Sequence, residues 1–270
     1  MREIKIPSWE AFEEETTFLF ESVREKKKTT KLHVSEPLFR GQGNARWKLE
    51  TTLERYTSDP FEARAYYKAM LRVVNAVESF TEKGWNLSHE YKDSEDDQQA
   101  PLGYEFMIYL RHHGFPSPLL DWTRSPYVAA YFAFRHKPTD NSDNVAVYSY
   151  LEYVDGAKGW CSSDPTVFAL GSYVTTHRRH HIQQCEYTIC KKQISETSFY
   201  CDHEEAFAKN DKGQDILTKY VIPVSERAKV LEKLDFMNIN AYSLFGHEES
   251  LMETLAYRAV EKKRNLSQLL

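Results

Sequence analysis

The stretch Leu119-Leu120-Asp121-Trp122-Thr123-Arg124-Ser125-Pro126, running into Tyr127-Val128-Ala129-Ala130-Tyr131-Phe132-Ala133-Phe134, constrains this chain more than any other. Two leucines read as a short buried strand, and Ser-Pro reads as a helix start: the hydroxyl caps free N–H groups and the proline ring is preset for the first helical position. The spacing predicts a strand, a polar corner and an apolar helix from Pro126 to about Arg135. A corner of this kind holds side chains between two rigid elements and points backbone N–H groups outward, which suits a binding site.

The flanking segments carry their own periodicities. Ser8 is positioned to cap a first helix with Trp9, Phe12, Leu19 and Val23 on one face and a basic end at Arg24 to Lys28, in the sense the helix dipole favours. Glu36 to Gly43 reads as a short strand punctuated by two glycines, and Trp47 to Leu53 alternates in the manner of a strand or the approach to one. Tyr66, Met70, Val73, Val74, Val77 and Phe80 predict a long amphipathic helix over 61–81, and Lys83 to Ala100 reads as an exposed acidic loop and candidate linker. Tyr104 opens another helix that Gly114 can terminate in the left-handed conformation. Val145 to Tyr150 predicts a central strand, 156–176 a long loop, Cys185 to Cys190 a strand with Glu186 at its start, and Leu217 to Pro223 another. A helix capped by Ser225 and a closing helix over Glu248 to Lys262 complete the reading. Without a regular βαβ rhythm, the expected class is α+β, a mixed central sheet with flanking helices. The expected organisation is a packing helix over 1–30 and a single globular unit over 31–270.

Composition narrows function. A net charge of −5 and a pI near 6.1 exclude an overall basic nucleic-acid binder, leaving only local basic patches. No apolar run reaches membrane-spanning length and the N-terminus has no signal-type apolar core, so a cytoplasmic protein with no membrane partner is expected. Four cysteines, Cys161, Cys185, Cys190 and Cys201, are too few for a disulfide framework in a chain of 270 residues, which fits a reducing compartment. His177, His180, His181 and His203 lie near them in sequence, but no Cys-x-x-Cys or His-Glu-x-x-His spacing is present, so no metal site is assigned. Neither a Gly-x-Gly-x-x-Gly nor a P-loop motif occurs.

Phe39-Arg40-Gly41, His112-His113-Gly114, Leu119-Leu120-Asp121-Trp122-Thr123 and Ala129-Ala130-Tyr131-Phe132-Ala133 together resemble the FRG domain family, which takes its name from the first tripeptide. The resemblance continues through Arg179, Gln183-Gln184 and Tyr187-Thr188, spans about residues 35 to 190, and has a weaker echo in Leu244-Phe245-Gly246; Cys185 departs from the small residue expected there. It implies a bacterial mobile-element or phage-defence setting, as a defence or toxin effector. More distantly, an arginine at a strand end, Thr123 or Ser125 at the corner and Gln184-Cys185-Glu186 are similar to the Arg–Ser–Glu arrangement of mono-ADP-ribosyltransferases. That similarity implies NAD as substrate, cleaved at the nicotinamide–ribose bond, with ADP-ribose passed to an unknown protein or nucleic-acid acceptor.

In that reading Glu186 stabilises the oxocarbenium-like sugar, Gln184 orients the acceptor, Arg40 grips phosphate and the backbone of Gly41 bonds the carboxamide. Thr123 or Ser125 holds Glu186, Tyr131 or Phe115 offers an aromatic wall, His113 contributes to the cofactor site, and Asp121 is a rival carboxylate. The non-enzymatic alternative uses Arg40, His112, His113, Arg124 and Arg179 as a nucleotide or nucleic-acid phosphate site in a sensor or effector module.

Overall fold

The computed structural model describes residues 1–57, 60–91, 100–137, 142–154, 156, 158–159, 161–171, 174, 176, 178–209 and 212–262. Most of the acidic stretch after Tyr91, and His177, lie outside the described residues. The chain runs β1 (Arg2–Lys5), α1 (Trp9–Thr29), β2 (Leu38–Gln42), β3 (Phe61–Glu62), α2 (Ala63–Thr81), α3 (Tyr104–His112), β4 (Leu119–Thr123) and α4 (Pro126–Phe134). It continues with β5 (Asn144–Tyr153), β6 (Thr166–Ala169), α5 (Arg178–Ile182), β7 (Cys185–Ile194), β8 (Thr197–Tyr200), α6 (His203–Phe207) and β9 (Gln214–Pro223). A 3₁₀ turn over Val224–Glu226, α7 (Arg227–Phe236), α8 (Ala241–Phe245), α9 (Glu248–Ala256) and a π-turn over Tyr257–Glu261 close it.

These elements form an α+β fold around one mixed nine-stranded sheet, in the order β1-β9-β5-β2-β4-β7-β8-β3, with β6 pairing β7. Among the described residues the single parallel pair is β1 with β9, and the other pairings are antiparallel. No helix among the described residues is long and apolar enough to cross a membrane.

Local rules account for the helices beside the site. Ser125 caps α4 by accepting from the Val128 N–H at 3.3 Å, with Pro126 in its first turn. Gly114 ends the α3 segment at φ +84°, a conformation that a β-carbon disfavours. Trp47 to Leu53, in contrast, is not a strand. Leu49 there takes its backbone partner from a side chain, its N–H donating to Glu204 Oε1 at 2.8 Å. The segment before residue 176 that reads as loop contains β6, recruited by the free edge of β7.

The two faces of the sheet bury different cores. Val145, Val147 and Phe39 pack under α4 with Trp9 and Phe12 of α1 and Val230 and Leu234 of α7. Further along the same face, Leu119, Tyr187 and Ile189 pack on α2 and α3. Leu38, Leu120, Trp122, Ala146, Tyr148 and Tyr150 form the opposite face, with Leu49 and Phe207. The N-terminal helix is therefore part of the main core, and β1 ties its leading end to the sheet edge.

Candidate functional site: a basic cleft between two parting strands

β2 and β4 are neighbours in the sheet, yet only Phe39 and Thr123 are in register between them. β2 stays paired with β5 from Leu38 to Gln42, and β4 with β7 from Leu119 to Thr123. Beyond the Phe39–Thr123 bridge the two strands part, and a cleft of about 720 Å³ opens at the gap.

Gly41 explains how the helix above comes so close to this strand. A β-carbon on it would stand 1.9 Å from the Ala129 carbonyl oxygen and 2.7 Å from the Ala133 nitrogen, so α4 rests directly on the backbone of β2. Alternation along β2 then turns Phe39 into the core below α4 and Arg40 to the other face.

Arg40 bridges the gap: its Nη1 donates to the Asp121 backbone oxygen at 2.8 Å. Asp121 Oδ2 pairs with Arg111 Nη2 of α3 at 2.7 Å. Burial, with the nearby guanidinium groups of Arg111 and Arg55, brings Arg40 down to about 10 against the pull of Asp121. Arg40 Nε, Arg111 Nε, Asp121 Oδ1 and Gln42 Oε1 are buried without a hydrogen-bond partner among the described residues. Such groups are costly unless something satisfies them, so four of them in one cleft point to a polar occupant.

The wall as a whole is basic. Arg40, Arg46, Lys48, Arg55, Arg111 and Arg179 line it against two carboxylates, Glu50 and Asp121, in a chain whose net charge is −5. Aromatic surface is present too: Trp47, 53% exposed, lies at the cleft, and Phe132 and Phe245 meet edge to face with centroids 5.9 Å apart. Gln183 anchors the Phe245 segment by donating from Nε2 to the Leu244 carbonyl at 3.0 Å. His112 Nε2 lies 2.7 Å from the Tyr187 hydroxyl, so that imidazole is oriented from the α3–β7 core.

Of the residues singled out from the sequence, the structure brings Arg40, Gly41, Thr123, His112, Arg179 and Asp121 to this cleft. Others are placed elsewhere. Glu186 lies on β7, on the far side of β4 from β2, opposite Trp122 in the ladder, and does not line the cleft. Its carboxylate is 3.8 Å from Arg124 Nε, and burial raises its pKa against the pull of Arg124. Gln184 is exposed at φ +51° in the turn before β7, so strand alternation does not apply to it and it shares no strand face with Glu186. The buried cleft residue is its neighbour Gln183.

Neither corner hydroxyl holds Glu186. Thr123 Oγ1 donates to the Gln183 carbonyl at 2.7 Å and accepts from the Ser125 N–H at 3.1 Å, while Ser125 Oγ caps α4. Tyr131 projects to a second cavity, its hydroxyl 3.3 Å from Glu253, because Ala129 and Ala133 occupy the face of α4 over β2. Phe115 packs on the α2–α3 core and His113 on Tyr109, with ring centroids 4.3 Å apart. Burial and Arg179 lower the His113 pKa.

The residues that sequence reasoning missed, Arg46, Arg55, Arg111, Phe132 and Phe245, come from four separate segments. Signals existed for three of them: Arg111 is a cation in the last turn of a helix just before His112-His113-Gly114, and Phe132 and Phe245 fall within motifs that carry the family resemblance, although neither was assigned to a site. Among the described residues no group of three or more His, Cys, Asp or Glu side chains is placed to hold a metal ion.

The α+β sheet thus carries a basic, aromatic-edged cleft opened between two neighbouring strands. Residues 35–142 match the model of the FRG domain. The matched segment carries Arg40, Arg55, Arg111 and Asp121, whereas Arg179, Gln183 and Phe245 come from beyond it. No curated protein and no solved structure matches the chain.

Proposed function

We propose that the β2–β4 cleft binds a nucleotide through its phosphates. The observation that carries this is the excess of guanidinium groups around Arg40, with the Nε atoms of Arg40 and Arg111 buried and unpartnered among the described residues. Planar guanidinium forks match phosphate oxygens, and charge-assisted hydrogen bonds to them are about twice as strong as neutral ones. Trp47, Phe132 and Phe245 supply aromatic surface on which a base stacks. A volume of about 720 Å³ accommodates a nucleotide-sized ligand.

The test is calorimetric titration of the protein with ADP and with NAD. Binding that weakens about tenfold or more in Arg40→Ala and in Arg111→Ala is the expected result, since a hydrogen bond to a charged group contributes roughly 1.5–3 kcal/mol. Absence of binding by either nucleotide, or binding equal in wild type and both variants, overturns the reading.

A second reading, cleavage of NAD at the nicotinamide–ribose bond with ADP-ribose passed to a macromolecule, is favoured by one observation. Asp121 carries a buried carboxylate oxygen, Oδ1, with no partner among the described residues, at the cleft itself. In this version Asp121 rather than Glu186 stabilises the developing positive charge on the sugar. Nicotinamide release measured in wild type, Asp121→Asn and Glu186→Gln separates the two: loss in the Asp121 variant alone supports cleavage from the cleft. In the phage-defence setting that the family resemblance implies, such a cleft would sense or consume a nucleotide.

A further inference from the structure

Cys190 on β7 and Cys201, just past β8, are both buried, and their Sγ atoms are 3.4 Å apart. The contact is built into the ladder. Lys191 pairs with Tyr200 in the β7–β8 hairpin, which puts Cys190 directly opposite Cys201, and the Cys201 N–H donates to the Cys190 carbonyl at 3.1 Å. Directly opposed residues of an antiparallel pair share one face and have α-carbons about 4.5–5.5 Å apart, within the range that a disulfide spans. Access differs between the thiols. Cys201 lines a cavity of about 400 Å³ beside Leu53, Phe61 and Tyr200, whereas Cys190 is enclosed by the sheet.

We propose that Cys190 and Cys201 form a peroxide-responsive dithiol that closes to an intramolecular disulfide within the folded protein. Cys201 reacts first, from the cavity side: its sulfur attacks one peroxide oxygen, the O–O bond breaks, and the products are a sulfenic acid and one water. Cys190 sulfur then attacks Cys201 sulfur, the S–O bond breaks, and hydroxide leaves with the Cys190 proton as a second water. Two thiols are oxidised by two electrons, and one peroxide is reduced to two waters. Burial raises the Cys190 thiol pKa and keeps Cys190 protonated until the sulfenic acid stands opposite it.

The disulfide would form close to the cleft. Cys190 Sγ now contacts the Asp202 carbonyl at 3.4 Å, and Asp202 caps α6, whose Glu204 accepts from the Leu49 N–H. Leu49 lies between Lys48 and Glu50, which line both the cleft and the Cys201 cavity.

The experiment treats the full chain carrying Cys161→Ser, which removes the exposed thiol, with hydrogen peroxide under native conditions. Intact mass and a non-reducing peptide map are then read. The expected product has lost two hydrogen atoms, contains one cross-link joining the Cys190 and Cys201 peptides, and returns to its starting mass with a dithiol reductant. In a second variant that also carries Cys190→Ala, the cross-link is absent and Cys201 is trapped by dimedone. Accumulation of Cys201 as sulfinic acid with Cys190 present, a cross-link that involves Cys185 instead, or no reaction in a sample that stays folded by circular dichroism overturns the proposal.

Discussion

A β-carbon on Gly41 would meet the carbonyl oxygen of Ala129 at 1.9 Å, so α4 seats on β2 with no room for any side chain between them. The same contact sets the height of one wall of the cleft, because Gly41 and Ala129 both line it. The glycine of the Phe39-Arg40-Gly41 tripeptide is thus needed for packing, and its neighbours divide between the core and the cleft.

Gly41→Ala tests that role. The backbone atoms it would strike cannot move as a flexible side-chain tip can, so α4 must shift as a whole. Overpacking of this kind costs about 1–3 kcal/mol and sometimes more. The urea midpoint is expected to fall, whereas Gly43→Ala, with its nearest contact at 3.7 Å, is expected to leave it nearly unchanged.

Arg40→Lys separates charge from geometry in the cleft. A lysine keeps the positive charge but loses the planar fork that reaches the Asp121 carbonyl. Weaker nucleotide binding is expected, together with an unchanged slope of log Kd against log salt, since the number of cations is the same. Arg40→Gln is expected to weaken binding and flatten that slope as well, and titrations at two salt concentrations read both effects.

His203 makes stability depend on pH. It is wholly buried, its Nε2 lies 3.1 Å from Thr188 Oγ1, and burial together with Arg40 brings its pKa down to about 3. In the unfolded chain a histidine titrates near 6.5. Between these values the unfolded state binds the extra proton, so this contribution to stability is complete above about pH 6.5 and declines as pH falls toward 3. The full loss is on the order of 5 kcal/mol. Urea midpoints at pH 7 and pH 5 are expected to differ less in His203→Gln than in wild type.

Lys158, itself buried, is the cation between buried Glu152 and half-buried Asp215. Its Nζ lies 2.7 Å from Asp215 Oδ1 and 3.4 Å from Glu152 Oε1, and it also donates to the Val167 carbonyl. Tyr150 donates to the same Asp215 oxygen at 2.6 Å, and the Ala169 N–H to Glu152 at 3.0 Å. Lys158→Met leaves the buried Glu152 and the half-buried Asp215 carboxylates without their cation, a loss of roughly 3 kcal/mol. A lower urea midpoint is expected, partly restored when Glu152→Gln is added.

Much of the fold was legible in the residue order because the signals are local. Ser125-Pro126 marks the start of α4, the apolar spacing over 61–81 marks α2, and the β-type alternation after Gln184 marks β7. Where local order misled, a distant partner had decided the conformation. The Trp47 to Leu53 stretch alternates, but Leu49 finds its backbone partner in Glu204, 155 residues away, and no strand forms. By residue order Gln184 extends the strand of Glu186, but the backbone turns there through a positive φ to join α5 to β7.

The order of residues alone determined that this chain builds a mixed α+β fold, which faces of its helices are buried, and that Arg40 stands at a strand end beside a glycine. These depend on side-chain size and polarity a few positions apart, which periodicity records. The tertiary structure alone decided that β2 and β4 part after one bridge, that Arg111, Arg55 and Arg179 gather around Arg40, and that Glu186 lies beyond the intervening strand. Strand order and helix seating determine which distant side chains meet, and both follow from packing across the sheet, which no short window of residues contains.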